Sequence, residues 1–273
     1  MKTLLFAAAL AASAPAVQAG SGCSRPISVP LSPSGSSVIA EMDKVRGIYP
    51  DVLRGVAEKI GCKFEYTMVP RARLVALYQL GQADLFLPAS PTPERDRHGT
   101  FVPLVSIRPV LISLEGNHAP ISSAQDLLAR RDLRVAVVRG FDYGEGYTAL
   151  TSELAKQGRL FVEVDVTAVA RLLHAGSADL TIMGPSLIIS VAQREQRVQG
   201  MLERLRTEAI AELPWRYSGV YVSKALARED QQVLIDGLEK SARANQFIDS
   251  YRRYFGGEML NSGVRARDAR ESR

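Results

Sequence analysis

Two loops hold the side chains of this sequence that could do chemistry. The first, Leu87-Pro88-Ala89-Ser90-Pro91-Thr92-Pro93-Glu94-Arg95, follows an apolar run ending Asp84-Leu85-Phe86-Leu87. Its polar residues therefore begin where a strand's carboxyl end meets the edge of a sheet, which is where open α/β sheets bind ligands. Ser90 and Thr92 offer hydroxyls, prolines stiffen the loop, and Arg95 presents a planar fork of donors that fits a carboxylate. Such a set holds an anion and contains no nucleophile or base. Taken alone, the stretch reads equally as a proline-rich surface loop with a solvated arginine.

The second loop, Arg139-Gly140-Phe141-Asp142-Tyr143-Gly144, lies between a strand and a helix start, whose free amides and partial positive charge also suit an anion. There Asp142 is either the partner of a ligand cation or a helix cap. Phe141 and Tyr143 would form an aromatic wall. Gly144-Glu145-Gly146-Tyr147-Thr148-Ala149 fits a loose dinucleotide pattern without a clear acidic partner downstream, so no cofactor is expected. His98, His118 and His174 fall in no metal-ligand spacing, and no metal is expected.

The elements that must position these loops follow from periodicity. Ile27 to Leu31 reads as a strand, Pro50 to Ile60 as an amphipathic helix closed by Gly61, and Lys63 to Val69 as a second strand. Arg71 to Leu80 is a second helix and Asp84 to Leu87 a third strand, an order that implies a parallel sheet with right-handed crossovers. Arg71 and Arg73 flank the start of that second helix, and Arg73 is taken as the one entering the site to meet a second acidic group; solvent exposure is the alternative. A second copy follows: Leu77-Tyr78-Gln79-Leu80-Gly81-Gln82-Ala83-Asp84-Leu85 lies over Leu172-Leu173-His174-Ala175-Gly176-Ser177-Ala178-Asp179-Leu180. Both copies end a helix at glycine and start a strand after Ala-Asp-Leu. With strands at 133–138 and 160–166 and a helix at 147–156 around the second copy, the chain divides into two similar α/β lobes. Phe101 to Leu114 would cross between them as one strand and residues 207–213 would cross back before a strand at 217–222. One or two helices over 231–254 would pack on the first lobe. Two crossings around a cleft make a hinge. Trp215 is expected to pack in the core.

The chain has 273 residues and is 46% hydrophobic, enough for cores of this size. Lys2, the apolar run from Leu4 to Ala12 and the small residues ending Val17-Gln18-Ala19 read as a secretory signal cleaved before Gly20. No later stretch approaches the roughly 18 apolar residues of a membrane span, so the mature chain is expected in the periplasm. Cys23 and Cys62 precede neighbouring candidate strands, and an oxidising compartment favours pairing them; the aliphatic residue expected before a lipoprotein cysteine is missing. Much of the excess in the net charge of +5 sits in residues 261–273, where Arg265, Arg267, Arg270 and Arg273 outnumber Asp268 and Glu271, and this stretch is read as a frayed basic tail. Without interleaved aromatics it gives no sign of nucleic-acid binding.

With these residues in place, the sequence resembles the family 3 solute-binding proteins of bacterial ABC importers, the group that includes periplasmic amino-acid receptors. The resemblance lies in the export signal, Gly47-Ile48-Tyr49-Pro50-Asp51, Gly81-Gln82-Ala83-Asp84, Ser90-Pro91-Thr92-Pro93-Glu94-Arg95, Phe101-Val102-Pro103, Arg134-Val135-Ala136-Val137 and Tyr254-Phe255-Gly256-Gly257. It implies a two-lobed periplasmic-binding-protein fold of type II, each lobe a mainly parallel sheet flanked by helices. The expected division is a signal at 1–19, a first lobe at 24–108 plus 212–260, a second lobe at 109–211 and a disordered tail at 261–273. The resemblance further implies that Thr92 and Arg95 clasp a ligand α-carboxylate, with Ser90 a weaker donor. Its usual ammonium-binding aspartate falls at Gly184, a departure that opens the ligand class to organic acids or passes the acidic role to Asp142. The aromatic residue usual after the first strand is missing from Ser32 to Ser36. The implied function is capture of a small carboxylate-bearing solute by a monomer that delivers it to the membrane permease of an ABC importer. A periplasmic dehydratase-like enzyme of the same fold and a ligand-sensing partner of a membrane receptor are the alternatives, although no catalytic set is in evidence.

Overall fold

The computed structural model describes residues 22–41, 44–116, 118–256, 261 and 263–267; the expected signal segment lies outside them. β1 (Ile27–Leu31), β2 (Ile39–Ala40) and β3 (Val45–Arg46) lead into α1 (Ile48–Ile60), β4 (Phe64–Met68), α2 (Arg71–Gln79) and β5 (Leu85–Ala89). α1 buries Ile48, Tyr49, Val52, Leu53 and Val56, one apolar stripe at helical spacing. It ends at Gly61, whose left-handed backbone lets the Cys62 N–H reach the Ala57 carbonyl at 3.0 Å. β1 and β4 pair in parallel from Ile27 opposite Phe64 to Leu31 opposite Met68. The expected Cys23–Cys62 disulfide joins the segments just before these two strands.

The chain continues through α3 (Pro93–His98), β6 (Gly99–Ile107), β7 (Val110–Leu114), α4 (Ala124–Ala129), β8 (Val135–Val138), α5 (Glu145–Lys156), β9 (Leu160–Glu163), α6 (Val166–His174), β10 (Leu180–Met183) and α7 (Pro185–Arg194). A 3₁₀ segment at Gln196–Arg204 precedes β11 (Leu205–Glu208), β12 (Arg216–Ser223), α8 (Arg228–Arg243), α9 (Gln246–Phe255) and β13 (Val264–Ala266). The sequence repeat is a true structural repeat. Gly81 and Gly176 take φ of 69° and 65°, and the following N–H groups, of Gln82 and Ser177, bond the carbonyls of Leu77 and Leu172 at 2.8 and 2.9 Å. The repeated aspartates are structural too. Asp84 accepts the Ser28 N–H and a two-pronged bond from Arg25, while Asp179 accepts the N–H and guanidinium of Arg134. Each therefore pins a new strand to the start of its neighbour.

The sheets are mixed rather than mainly parallel. One has the order β13-β6-β12-β5, every pair antiparallel; the other runs β11-β7-β10-β8-β9, with only β8, β9 and β10 mutually parallel. The crossing segments cause this. The stretch read as one strand from Phe101 to Leu114 breaks at Arg108-Pro109, where proline offers no N–H to a ladder. Its first half, β6, joins one sheet, and its second half, β7, enters the other against the direction of the parallel strands. The chain returns between β11 and β12. No helix among the described residues is long and apolar enough to cross a membrane.

The expected disordered tail is corrected in part. Val264, Arg265 and Ala266 pair with Ile107, Ser106 and Val105, and Arg267 donates to the Pro103 carbonyl at 3.1 Å and to Glu239 at 3.0 Å. An edge strand thus gives the tail backbone partners that its charge alone would not suggest. Arg265 also lies 4.1 Å over the Trp215 ring, a cation–π contact.

At the bulge where β12 shifts register against β6, Gly219 lies so close to β6 that a Cβ would fall inside contact distance of the Val102 carbonyl. Gly219→Ala is therefore expected to cost roughly 1–3 kcal/mol through overpacking, read as a lowered denaturant midpoint with unchanged slope.

Candidate functional site

The carboxyl ends of β1 and β5, the start of α2 and the return strand β12 present one wall of a cavity of ≈ 60 Å³ between the two large sheets' lobes. The loop 139–144 and the start of α7 present the other. The walls are close: a Cβ on Gly35 would meet Ser190 and Leu187 of α7, and one on Gly140 would meet Arg71 and Val75 of α2 at 3.3–3.4 Å.

Arg95 is the centre of the first wall. It sits in α3, and the Thr92 hydroxyl caps that helix by accepting the Arg95 N–H at 3.3 Å. Thr92 thereby holds the loop's shape and does not line the cavity, whereas Ser90 and Arg95 do. The Arg95 guanidinium donates to the Ser90 carbonyl at 2.9 Å and lies 5.1 Å from the Phe86 ring centroid. Behind the loop, the Tyr221 hydroxyl accepts the Thr92 N–H at 3.1 Å and donates to Asp96 at 2.6 Å, and the Tyr78 hydroxyl donates to the Arg95 carbonyl at 2.9 Å. These rigid aromatic posts fix the backbone from which Arg95 projects.

A second guanidinium stands beside the first, and it is Arg71 rather than the expected Arg73. Arg71 shares its helix face with buried Leu74 and Tyr78, at spacings of three and seven residues, while Arg73, two residues on, points to solvent. That shared spacing with apolar residues was the available signal. Arg71 donates to the Pro88 carbonyl at 3.0 Å and stacks 4.6 Å from Phe86 and 5.8 Å from Phe141. Its Nε has no partner among the described residues. Arg71 and Arg95 are only 6% and 8% exposed. Burial first, and then the charge of Arg95, pull the Arg71 pKa down to about 9. Burial lowers that of Arg95 as well, against a raising influence from Asp142. Both remain cations at neutral pH. Neither makes a salt bridge to a carboxylate among the described residues.

Hydroxyls line the rest of the first wall. Ser32, Ser34 and Ser37 come from the loop after β1, Ser218 from β12, and the Ser34 hydroxyl is buried without a partner among the described residues. On the facing wall Phe141, Asp142 and Tyr143 are present as expected. Asp142 is the single carboxylate of the lining, and one of its oxygens accepts the N–H of Gly144, the residue preceding α5, at 2.6 Å. It serves the turn and still faces the cavity. Burial pushes the Tyr143 hydroxyl well up, so it stays protonated, and it meets the backbone of Gly184.

Gly184 lines the cavity directly before α7, an element not anticipated from the sequence. A Cβ there would have nothing nearer than the Ser186 hydroxyl at 3.8 Å. The space for a side chain exists and no acid fills it. The N-terminus of α7, with Ser186 and Leu187, faces the cavity instead. A Gly-Pro-Ser start followed by apolar Ile188, Ile189, Val191 and Ala192 carried the signal for this helix.

Chemically, the cavity gathers two buried cations, several hydroxyls and a helix amino end against one carboxylate. Such a set can hold a small anion.

The model of the bacterial extracellular solute-binding proteins, family 3, matches residues 31–256. The P235GK mutant of ArgBP from T. maritima superimposes with a TM-score of 0.67 at 16% identity, over 84% of this chain and 95% of that one. The arginine-, lysine-, histidine-binding protein ArtJ from Geobacillus stearothermophilus does so with 0.68 at 17% identity, over 85% and 96%. The GluR0 ligand-binding core in complex with L-glutamate gives 0.67 at 21% identity, over 87% and 100%. No curated protein matches the sequence. These likenesses show the two-lobed α/β fold.

Proposed function

Because the chain belongs to the bacterial extracellular solute-binding proteins, family 3, we propose that it captures a small carboxylate-bearing solute between its lobes and delivers it to the membrane permease of an ABC importer. The observation that carries this reading is the Arg95 guanidinium, buried at the cavity with a bond to the Ser90 carbonyl and no salt bridge to a carboxylate among the described residues. A buried cation held this way costs folding energy that an anionic ligand returns as charge-assisted bonds. An ancestral arginine-binding protein bound to arginine and the GluR0 core in complex with L-glutamate have similar folds, and both ligands carry an α-carboxylate beside their α-ammonium. Ser90 and the Phe141–Tyr143 wall complete the grip, and closure excludes water. In this reading Arg71 takes the place first given to Arg73, and Thr92 acts through the loop it caps.

The lining favours binding over turnover. Its single carboxylate, Asp142, is tied to Gly144 and has no second acid or base beside it, whereas proton transfer needs a positioned acid–base group. The reading also has the chain exported, cleaved before Gly20 and acting as a monomer.

Thermal denaturation of residues 20 onward against amino acids and amine-free carboxylates tests it. A carboxylate at a hundred times its dissociation constant adds about 2.7 kcal/mol of stability, a readily measured rise in midpoint. If no member of either class raises the midpoint, the cleft is not a carboxylate site.

A further inference from the structure

We infer that the ligand has two anionic groups and no ammonium, a small dicarboxylate whose ends are held by Arg95 and Arg71. This deepens the carboxylate reading above and rests on it. The two guanidiniums lie 5.1 and 4.6 Å from the Phe86 centroid and line one small cavity, so both fall within reach of one small molecule. Each spends one donor on a loop carbonyl, of Ser90 and of Pro88, and the Arg71 Nε has no partner among the described residues. Arg71 is only 6% exposed, and among the described residues it pairs with no acid: its contacts are the Pro88 carbonyl and the Phe86 and Phe141 rings. A guanidinium kept buried with donors unused is positioned for a second planar oxyanion.

The facing wall argues against an ammonium. A buried ammonium needs anionic or carbonyl acceptors around it. At Gly184 there is room for an acid and none is present, and the amino end of the ten-residue α7 brings partial positive charge to that point. Asp142, the one carboxylate of the lining, already accepts from Gly144 and faces the field of Arg95. An ammonium would be a third cation in a lining with one carboxylate, whereas a dicarboxylate sets its two ends, together with Asp142, against two guanidiniums and the partial positive charge of the α7 amino end.

Calorimetric titration of the chain from residue 20 onward with butanedioate and pentanedioate, against butanoate and pentanoate and against aspartate and glutamate, tests the inference. The dicarboxylates are expected to bind at least tenfold more tightly than either matched set. Arg71→Gln is expected to lower dicarboxylate affinity to the level of the monocarboxylates. As a second variant in a position with free space, Gly184→Asp should weaken the dicarboxylates and strengthen aspartate and glutamate. Equal binding of mono- and dicarboxylates, or tighter binding of aspartate or glutamate to the unmodified chain, overturns the dianion inference and leaves the carboxylate site standing. Failure of every carboxylate to bind overturns both.

Discussion

Arg95→Ala is expected to remove carboxylate-dependent stabilisation while leaving a folded protein. Truncating one partner of a buried charge pair costs on the order of 2–5 kcal/mol of binding, or at least roughly 30-fold in dissociation constant. The fold itself loses one bond to the Ser90 carbonyl and the stacking on Phe86, but is also freed from burying a cation. These act in opposite directions, so the ligand-free midpoint should move far less than the ligand-induced shift. α3 keeps its Thr92 cap, because that bond uses the backbone N–H of residue 95. Denaturation with and without the carboxylate reads both quantities in one experiment. A variant that unfolds at the same midpoint as the parent and still gains the full ligand shift would remove Arg95 from the site.

Cys62→Ser is expected to have the largest effect on the fold and little on the ligand. The disulfide spans a sequence separation of 39 residues, and the loop-closure relation gives about 4 kcal/mol for a loop of that length. It lies before β1 and β4, whereas the cavity lies past the other end of β1, at Ser32. Five residues of strand, on the order of 16 Å, separate the two. Urea unfolding should show the midpoint of the variant falling to that of the reduced parent, with the carboxylate dissociation constant of the folded variant within about threefold of the parent's.

Much of this arrangement is legible in the residues. β1 has the bounds its alternation implies, α1 begins two residues before Pro50, and the Gly-x-Ala-Asp-Leu repeat marks the same helix end, aspartate anchor and strand in both lobes. The helix ends are set by local chemistry, a glycine with positive φ and a proline in a first turn, while the repeated aspartates are legible by their pattern although they bond strand amides 56 and 45 residues away. What could not be read depends on partners distant in sequence. The run from Phe101 to Leu114 is apolar throughout, and only the sheets decide that its halves belong to different lobes. The tail 264–266 is polar and basic, and its strand exists because β6 offers an open edge. Arg71 and Arg73 have the same chemistry, and the choice between them turns on a helix face that Leu74 and Tyr78 define. Thr92 shows how one motif serves two ends, since a hydroxyl suited to grip a ligand caps the helix that carries Arg95.

The most direct measurement is calorimetric titration of the chain from residue 20 onward with its best-binding carboxylate and with the matched primary amide, which keeps the size and planarity and removes the charge. Hydrogen bonds to charged groups are worth about 1.5–3 kcal/mol. The amide is therefore expected to bind at least tenfold more weakly, and Arg95→Ala should abolish that difference. An amide that binds as tightly as the acid would show that the buried guanidinium does not hold the ligand, and would contradict the account of the cleft as an anion site.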